Sequence, residues 1–247
     1  MPESHALLSA SSAHRWLNCP PSAKAVEGAA DAPSDAALQG TAAHVLAEHK
    51  LLRALKRRSK RPTSEWIDNE METLTDDYVN FVLEHLSNAR ETCADAQVFV
   101  EQRLDYSHVA LGGFGTGDCV ILAEPVLHII DLKYGMGVEV SPEANPQLML
   151  YGLGALAAFD ALYDIREVRL SIFQPRRGNV ATWTIPAEDL TTWAGTRSHR
   201  SRRLPRRTGV STGRARGASS AGSLRPAVPE RRQIWPSHAT SSRHPPN

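Results

Sequence analysis

A chain of 247 residues, 41% hydrophobic and 22% charged, suits one sizeable soluble domain with or without a tail. No apolar run approaches the roughly 18 residues that a membrane-spanning helix needs, and the three cysteines, widely spaced, give neither a disulfide framework nor a CxxC metal pair. The net charge of +1 conceals a split: from Thr196 onward lie 12 of the 28 basic residues, all arginine, and one of the 27 acids, Glu230, so the body stands near −10 and the tail near +11.

The first residues lack a basic start followed by an apolar core, so no secretory signal is expected and a reducing cytoplasm is the default. Ser9 to Lys24 offers serine caps for a short helix or turn, stopped by Pro20 and Pro21. Residues 29–40 read as a loop. From Thr41 to about Lys60, the spacing of Val45, Leu46, Leu51, Leu52 and Leu55 predicts a helix with a basic last turn. A second helix is expected over about Thr75–Ala94, with Tyr78, Val79, Val82, Leu83 and Leu86 on one face.

The texture then changes. Gln97 to Leu104 alternates as a strand does, and Asp118 to Leu122 reads as a second strand after the glycine-rich bend GGFGTG. Val126 to Leu132 is a β-branched apolar run suited to a central strand. A helix is expected over Asn145–Phe159, then a strand over Val168–Phe173, with Ala181–Ile185 beside it. The order implies an α/β (α+β) domain over residues 1–195, with one mixed central sheet flanked by helices. Residues 196–247 have too few apolar side chains to bury a core and are expected to form a basic, low-complexity, disordered tail.

Asp118 and Asp131 fall on neighbouring strands, and Lys133, two residues after Asp131, points to the same face as Asp131. Two carboxylates brought together repel unless a cation neutralises them, and Mg²⁺ or Mn²⁺ suits carboxylate, carbonyl and water ligands. A lysine beside such a site can orient an attacking water and stabilise charge on a phosphate. Alone, the D-x-K signal reads as a strand-end ion pair. A carboxylate closing a run as apolar as VLHII needs a partner, and that shifts the balance towards a cation.

Four motifs in order carry a resemblance: Gly40-Thr41-Ala42-Ala43-His44 in an early helix; Gly115-Thr116-Gly117-Asp118; Asp131-Leu132-Lys133; and Gln147 to Tyr151 on a later helix. Over about residues 8 to 175 the set resembles the RecB-like and Cas4-like exonuclease branch of the PD-(D/E)XK superfamily, and within it a phage and prophage family, DUF2800-like. The resemblance implies a restriction-endonuclease-like fold and a metal-dependent DNA nuclease, with exonuclease action expected. His44, Asp118, Asp131 and the backbone carbonyl of Leu132 would bind Mg²⁺ or Mn²⁺, with Lys133 as catalytic lysine. Gln147 and Tyr151, one helical turn apart, would position the lysine or contact a DNA phosphate. Glu48 and, more weakly, Glu101 would stand behind the ligands. The implied partner is DNA, with a recombination protein or helicase beside it and no membrane. The alternatives are a non-catalytic DNA-binding or recombination accessory module that keeps the fold, and a metal-binding structural protein of a phage.

Several members of that branch hold an iron–sulfur cluster with one early and three late cysteines. Cys19 stands where the early one would, but nothing after Cys119 is cysteine, so this chain cannot complete the set. Cys93 and Cys119 are expected to be buried small apolar residues. The tail's arginine without lysine is what a GC-rich gene yields out of frame. Val228 to Trp235 can be encoded so that a one-base shift reads Cys-Pro-Ser-Ala-Ala-Lys-Phe-Gly. The competing reading is a basic arm that holds nucleic acid through phosphate charge. The basic cluster Arg53, Lys56, Arg57, Arg58, Lys60 and Arg61 reads either as a local phosphate contact or as a solvated helix end.

Overall fold

The apolar run that closes on Asp131 forms the middle strand of a five-stranded mixed sheet. The computed structural model describes residues 6–25, 33–159 and 161–201, with side chains as far as 196. The sheet runs in sequence order: β1 (Gln97–Asp105), β2 (Phe114–Ala123), β3 (Val126–Leu132), β4 (Glu167–Gln174) and β5 (Asn179–Pro186). Neighbours pair antiparallel except β3 and β4, which are parallel because a helix connects them. Among the described residues no helix is long and apolar enough to cross a membrane.

Helices cover both faces. Two short helices, α1 (Ala13–Asn18) and α2 (Ser22–Ala25), precede α3 (Asp35–Ala54) and α4 (Asn69–Thr92). On α4, buried Met71, Thr75, Tyr78, Val79, Val82 and Leu86 recur at helical spacing and form one stripe. Tyr78, Val79, Val82 and Leu86 of that stripe, with Ala47 and Leu51 of α3, pack on Val98, Cys119, Ile121, Ile130 and Leu132. The other face is filled by α5 (Pro146–Phe159), which is buried along most of its length and packs with α1 against Leu104, Val120, Leu122, Leu127 and Ile129. Its approach is close: a Cβ on Gly154 would come within 3.0 Å of the Leu104 side chain and 3.2 Å of its backbone.

Several boundaries differ from the sequence reading. Helix α3 begins at Asp35, inside the expected loop, because the Ser34 side chain caps it by accepting from the Ala37 amide. Helix α4 begins at Asn69, six residues early, capped by Asp68 on the Met71 amide. Val45, expected on the apolar face of α3, is exposed. Of the glycines in the expected bend, Gly112, with φ of 65°, and Gly113 do lie in the turn that leads into β2, while Gly115 and Gly117 lie within the strand. Cys119 is buried as expected, but Cys93 caps the end of α4 half-exposed, its thiol donating to Asp95 at 3.0 Å. A sixth helix, α6 (Ala187–Ser201), was not expected and crosses the anticipated tail boundary, while residues 202–247, with the rest of that tail, lie outside the described residues.

One irregularity shapes the site. Val98 and Leu104 are an even number of residues apart on β1, yet Val98 packs under α3 and α4 and Leu104 packs under α5. The alternation therefore slips once between them. Glu101 lies in that stretch with φ of 49°, and its pairing opposite Asp118 is missing from an otherwise continuous register. On β2, Asp118 and Cys119 both serve the α3 side, Asp118 beside His44 and Cys119 in the core beneath. The slip turns two carboxylates towards one helix.

Candidate metal centre

The site lies where β2 and β3 part. Their pairing ends at Cys119 and Ile130, while β3 continues along β4 to Leu132 and Phe173. In the fork, the Asp118 side chain replaces a backbone acceptor: its Oδ2 accepts from the Leu132 amide at 2.7 Å. Its Oδ1 lies 3.1 Å from Nδ1 of His44, which α3 projects across the same gap. His44, Asp118 and Glu101 each offer a ligand atom, and these atoms lie within 4.8 Å of one another. Glu48 and Tyr78 line the same narrow cleft.

The other half is held from the α5 side. Asp131, 2% exposed, ends the apolar strand; its Oδ2 pairs with Lys133 Nζ at 2.7 Å and its Oδ1 accepts from Gln147 Nε2 at 3.0 Å. Lys133 in turn donates to Gln147 Oε1 at 3.2 Å. Gln147 is itself fixed: Asn145 caps the start of α5 through the Gln147 and Leu148 amides, and Gln147 Nε2 reaches the Tyr151 hydroxyl at 3.4 Å. Tyr151 packs against β2, where a Cβ on Gly115 would come within 2.8 Å of its ring. The motif that leads into Asp118 thus needs glycine at 115 to admit Tyr151. Gly40, in the first motif, has open space beside it, and nothing in the structure explains a glycine there.

Charge is unevenly shared. Burial would depress the proton affinity of His44, but Asp118 beside it, with Asp131, overrides this and raises it to about 9. Asp118 is held below the usual carboxylate range: burial opposes ionisation, and His44, Lys133 and the Leu132 amide outweigh it. Asp131 goes the other way, raised by burial and by Asp118 despite Lys133. The protein's own groups compensate the carboxylates with protons and a lysine. Asp131 Oδ2, although paired in charge with Lys133, accepts no directed hydrogen bond.

The residues singled out from sequence therefore converge in two groups. Asp118 and His44 share one; Asp131, Lys133, Gln147 and Tyr151 form the other, and Leu132 links them through its amide. Among the described residues, the trio of clustered donors takes Glu101 in place of Asp131. Cys19 caps α1, exposed, and no other cysteine stands near it in sequence. A groove of about 690 Å³ adjoins the cleft, sharing Glu48 and Glu101 and lined further by Ser11, Arg103, Phe114 and Tyr151. The Arg103 guanidinium stacks 3.7 Å over the Phe114 ring. Neither residue was singled out from sequence, where no motif marks them.

Among solved structures, the chain is similar to one titled "Crystal structure of SSO0001", at 14% identity over 68% of this chain and 90% of that one, with a TM-score of 0.25, a likeness too slight to bear on the site. A family model matches residues 5–207, and the chain belongs to that family, described as Protein of unknown function (DUF2800).

Proposed function

We propose that this chain is a metal-dependent nuclease of the PD-(D/E)XK type that hydrolyses phosphodiester bonds in DNA. The observation that carries the reading is the fork between β2 and β3, where one nitrogen and two carboxylate donors cluster beside a carboxylate–lysine–glutamine network. The ordered set of four motifs supports it independently.

The donors fit a hard divalent cation such as Mg²⁺ or Mn²⁺. His44, Glu101 and Asp118 would hold it, with Asp131 and the Leu132 carbonyl alongside. When bound, such an ion would lower the pKa of a coordinated water and supply positive charge for phosphate oxygens. The protein's own groups do the rest. Lys133, held between Asp131 and Gln147, carries a positive charge at a fixed point where negative charge develops on the scissile phosphate. Gln147 fixes both members of that pair, and Tyr151 fixes Gln147. The groove beside Glu101 supplies a path for the strand, with Arg103 as a cation on its wall.

The test is direct. Purified protein is incubated with linear and circular DNA in Mn²⁺, Mg²⁺ or EDTA. Cleavage of linear DNA that requires the ion is expected. Intact DNA of both forms in Mn²⁺ and Mg²⁺ would end the proposal.

A further inference from the structure

One buried group beside the acidic cluster has no hydrogen-bond partner in the protein. Tyr78 belongs to α4, is 2% exposed, and packs its ring edge-on to Phe173 with centroids 5.6 Å apart. Its hydroxyl is fully enclosed and makes no hydrogen bond. It lines the same cleft as His44, Glu101 and Asp118. A buried hydroxyl without a partner destabilises a fold, and phenylalanine would fill the same space without that loss. A tyrosine hydroxyl keeps its proton at neutral pH and is a donor.

The cleft around it supplies acceptors in excess of donors. We propose that the Tyr78 hydroxyl donates a hydrogen bond to a solvent oxygen bound on the cation that His44, Glu101 and Asp118 hold. Tyr78 is then a positioning residue, reaching the ion through its water ligand from the α4 side. This rests on the metal-centre reading above and adds to it a residue that no motif marks. The role explains why an orphaned hydroxyl sits under the site: it has a partner only when the ion and its water are present. Groups that orient a metal's ligands in this manner affect affinity without touching the ion.

The experiment compares wild type with Tyr78→Phe, without nucleic acid. Melting temperature is measured in EDTA, and Mn²⁺ affinity by titration calorimetry. Tyr134→Phe is the control, because Tyr134 also buries an unpartnered hydroxyl but lies in a separate cluster with Ala42, Ala43, Leu46 and Met71. The expected result for Tyr78→Phe is an equal or higher melting temperature in EDTA and Mn²⁺ binding weaker by about tenfold. Tyr134→Phe should leave Mn²⁺ affinity unchanged. Unchanged Mn²⁺ affinity in Tyr78→Phe overturns the inference, as does a lower melting temperature in EDTA, which would mean that the hydroxyl already has a structural partner. Loss of affinity in both variants overturns it too, as a general effect of removing buried hydroxyls. A wild type that binds no Mn²⁺ at all sinks the metal-centre reading instead, whatever the variants do.

Discussion

Two histidines on the α3 and α4 side of the same sheet have opposite fates. His44 sits in the fork beside Asp118 and is driven up to about 9. His128, on β3 just four residues before Leu132, is buried against Ser171 at 2.7 Å, which in turn meets Thr182 at 2.6 Å. The His85 ring stands edge-on to it with centroids 4.9 Å apart. Burial, then His85 and Arg169, lower His128 to about 3. Burial acts the same way on both rings; the neighbour decides. A carboxylate makes one cluster a place that collects positive charge, and hydroxyls and cations make the other a neutral, satisfied piece of core. Only the first has groups left over: a carboxylate oxygen without a directed hydrogen bond and a hydroxyl without a partner.

The comparison breaks most sharply at Asp131. Replacement by Asn keeps its shape but removes a negative charge from the fork and leaves Lys133 without its ion pair. DNA cleavage in Mn²⁺ should fall on the order of 10²–10³-fold. The measurement is the initial rate at matched metal concentration, with melting in EDTA as the control for folding. A wild-type rate would remove Asp131 and Lys133 from the chemistry.

The next effect is on metal binding and its pH dependence. His44 has a folded value of about 9 against 6.5 when unfolded, so its pairing with Asp118 stabilises the metal-free fold fully below 6.5 and is lost as pH rises through 9. Asp118, depressed, contributes above the ordinary carboxylate range and loses its share as pH falls through its folded value. An ion needs His44 neutral, so binding expels that proton and apparent Mn²⁺ affinity should rise by up to about tenfold per pH unit, flattening near 9. Between about pH 7 and 9, melting temperature should therefore decline in EDTA, while the increment added by Mn²⁺ grows. His44→Ala should shrink that increment and flatten its pH dependence. An increment independent of pH in wild type would show that His44 is not a ligand.

The neutral cluster gives the opposite signature. The folded value of His128 lies below its unfolded one, so its contribution is full above 6.5 and is lost as pH falls towards about 3. The slope from this one residue is at most about 1.4 kcal/mol per pH unit. His128→Leu should flatten the acid limb of stability, measured by urea unfolding across pH, and leave the Mn²⁺ increment untouched. A changed Mn²⁺ increment would mean that the two clusters are coupled through β3.

The sequence made much of the fork legible and little of its neighbour. Val126–Leu132 was read to the residue because a continuous β-branched run ending in a carboxylate has few alternatives. Asp118, Asp131, Lys133, Gln147 and Tyr151 were found because short motifs keep them in order. The place of Glu101 beside His44 and Asp118 was not legible because QVFVEQRL alternates like an uninterrupted strand; the slip that turns its carboxylate towards them exists only once β1 lies between two packed faces. Helix α3 was shortened because an Ala- and Asp-rich first turn has no apolar periodicity, although Ser34 was available as a cap. His128 and Ser171, 43 residues apart, meet only across the parallel β3–β4 pair and leave no local signal.

The smallest effect concerns the wall of the groove. Arg103 stands over Phe114 on the groove wall, outside the clustered donors, so it is placed to meet a strand and not the ion. A guanidinium stacked on a ring keeps its donors free at the edge for a phosphate, while its face stays occupied. The body of the chain is acidic, so a cation on the groove wall matters more to binding than it would on a basic surface. Arg103→Glu, made in the Asp131→Asn background to stop cleavage, should weaken binding of a labelled oligonucleotide by roughly three- to tenfold and reduce the dependence of log affinity on log salt by about one contact. Fluorescence anisotropy across a salt series reads both quantities. Weaker binding with an unchanged salt slope would point to lost stacking on Phe114, and Phe114→Leu with Arg103 kept should then reproduce it. Affinity and slope both equal to the parent would show that the strand does not pass Arg103, and the path would have to lie on the other side of the fork.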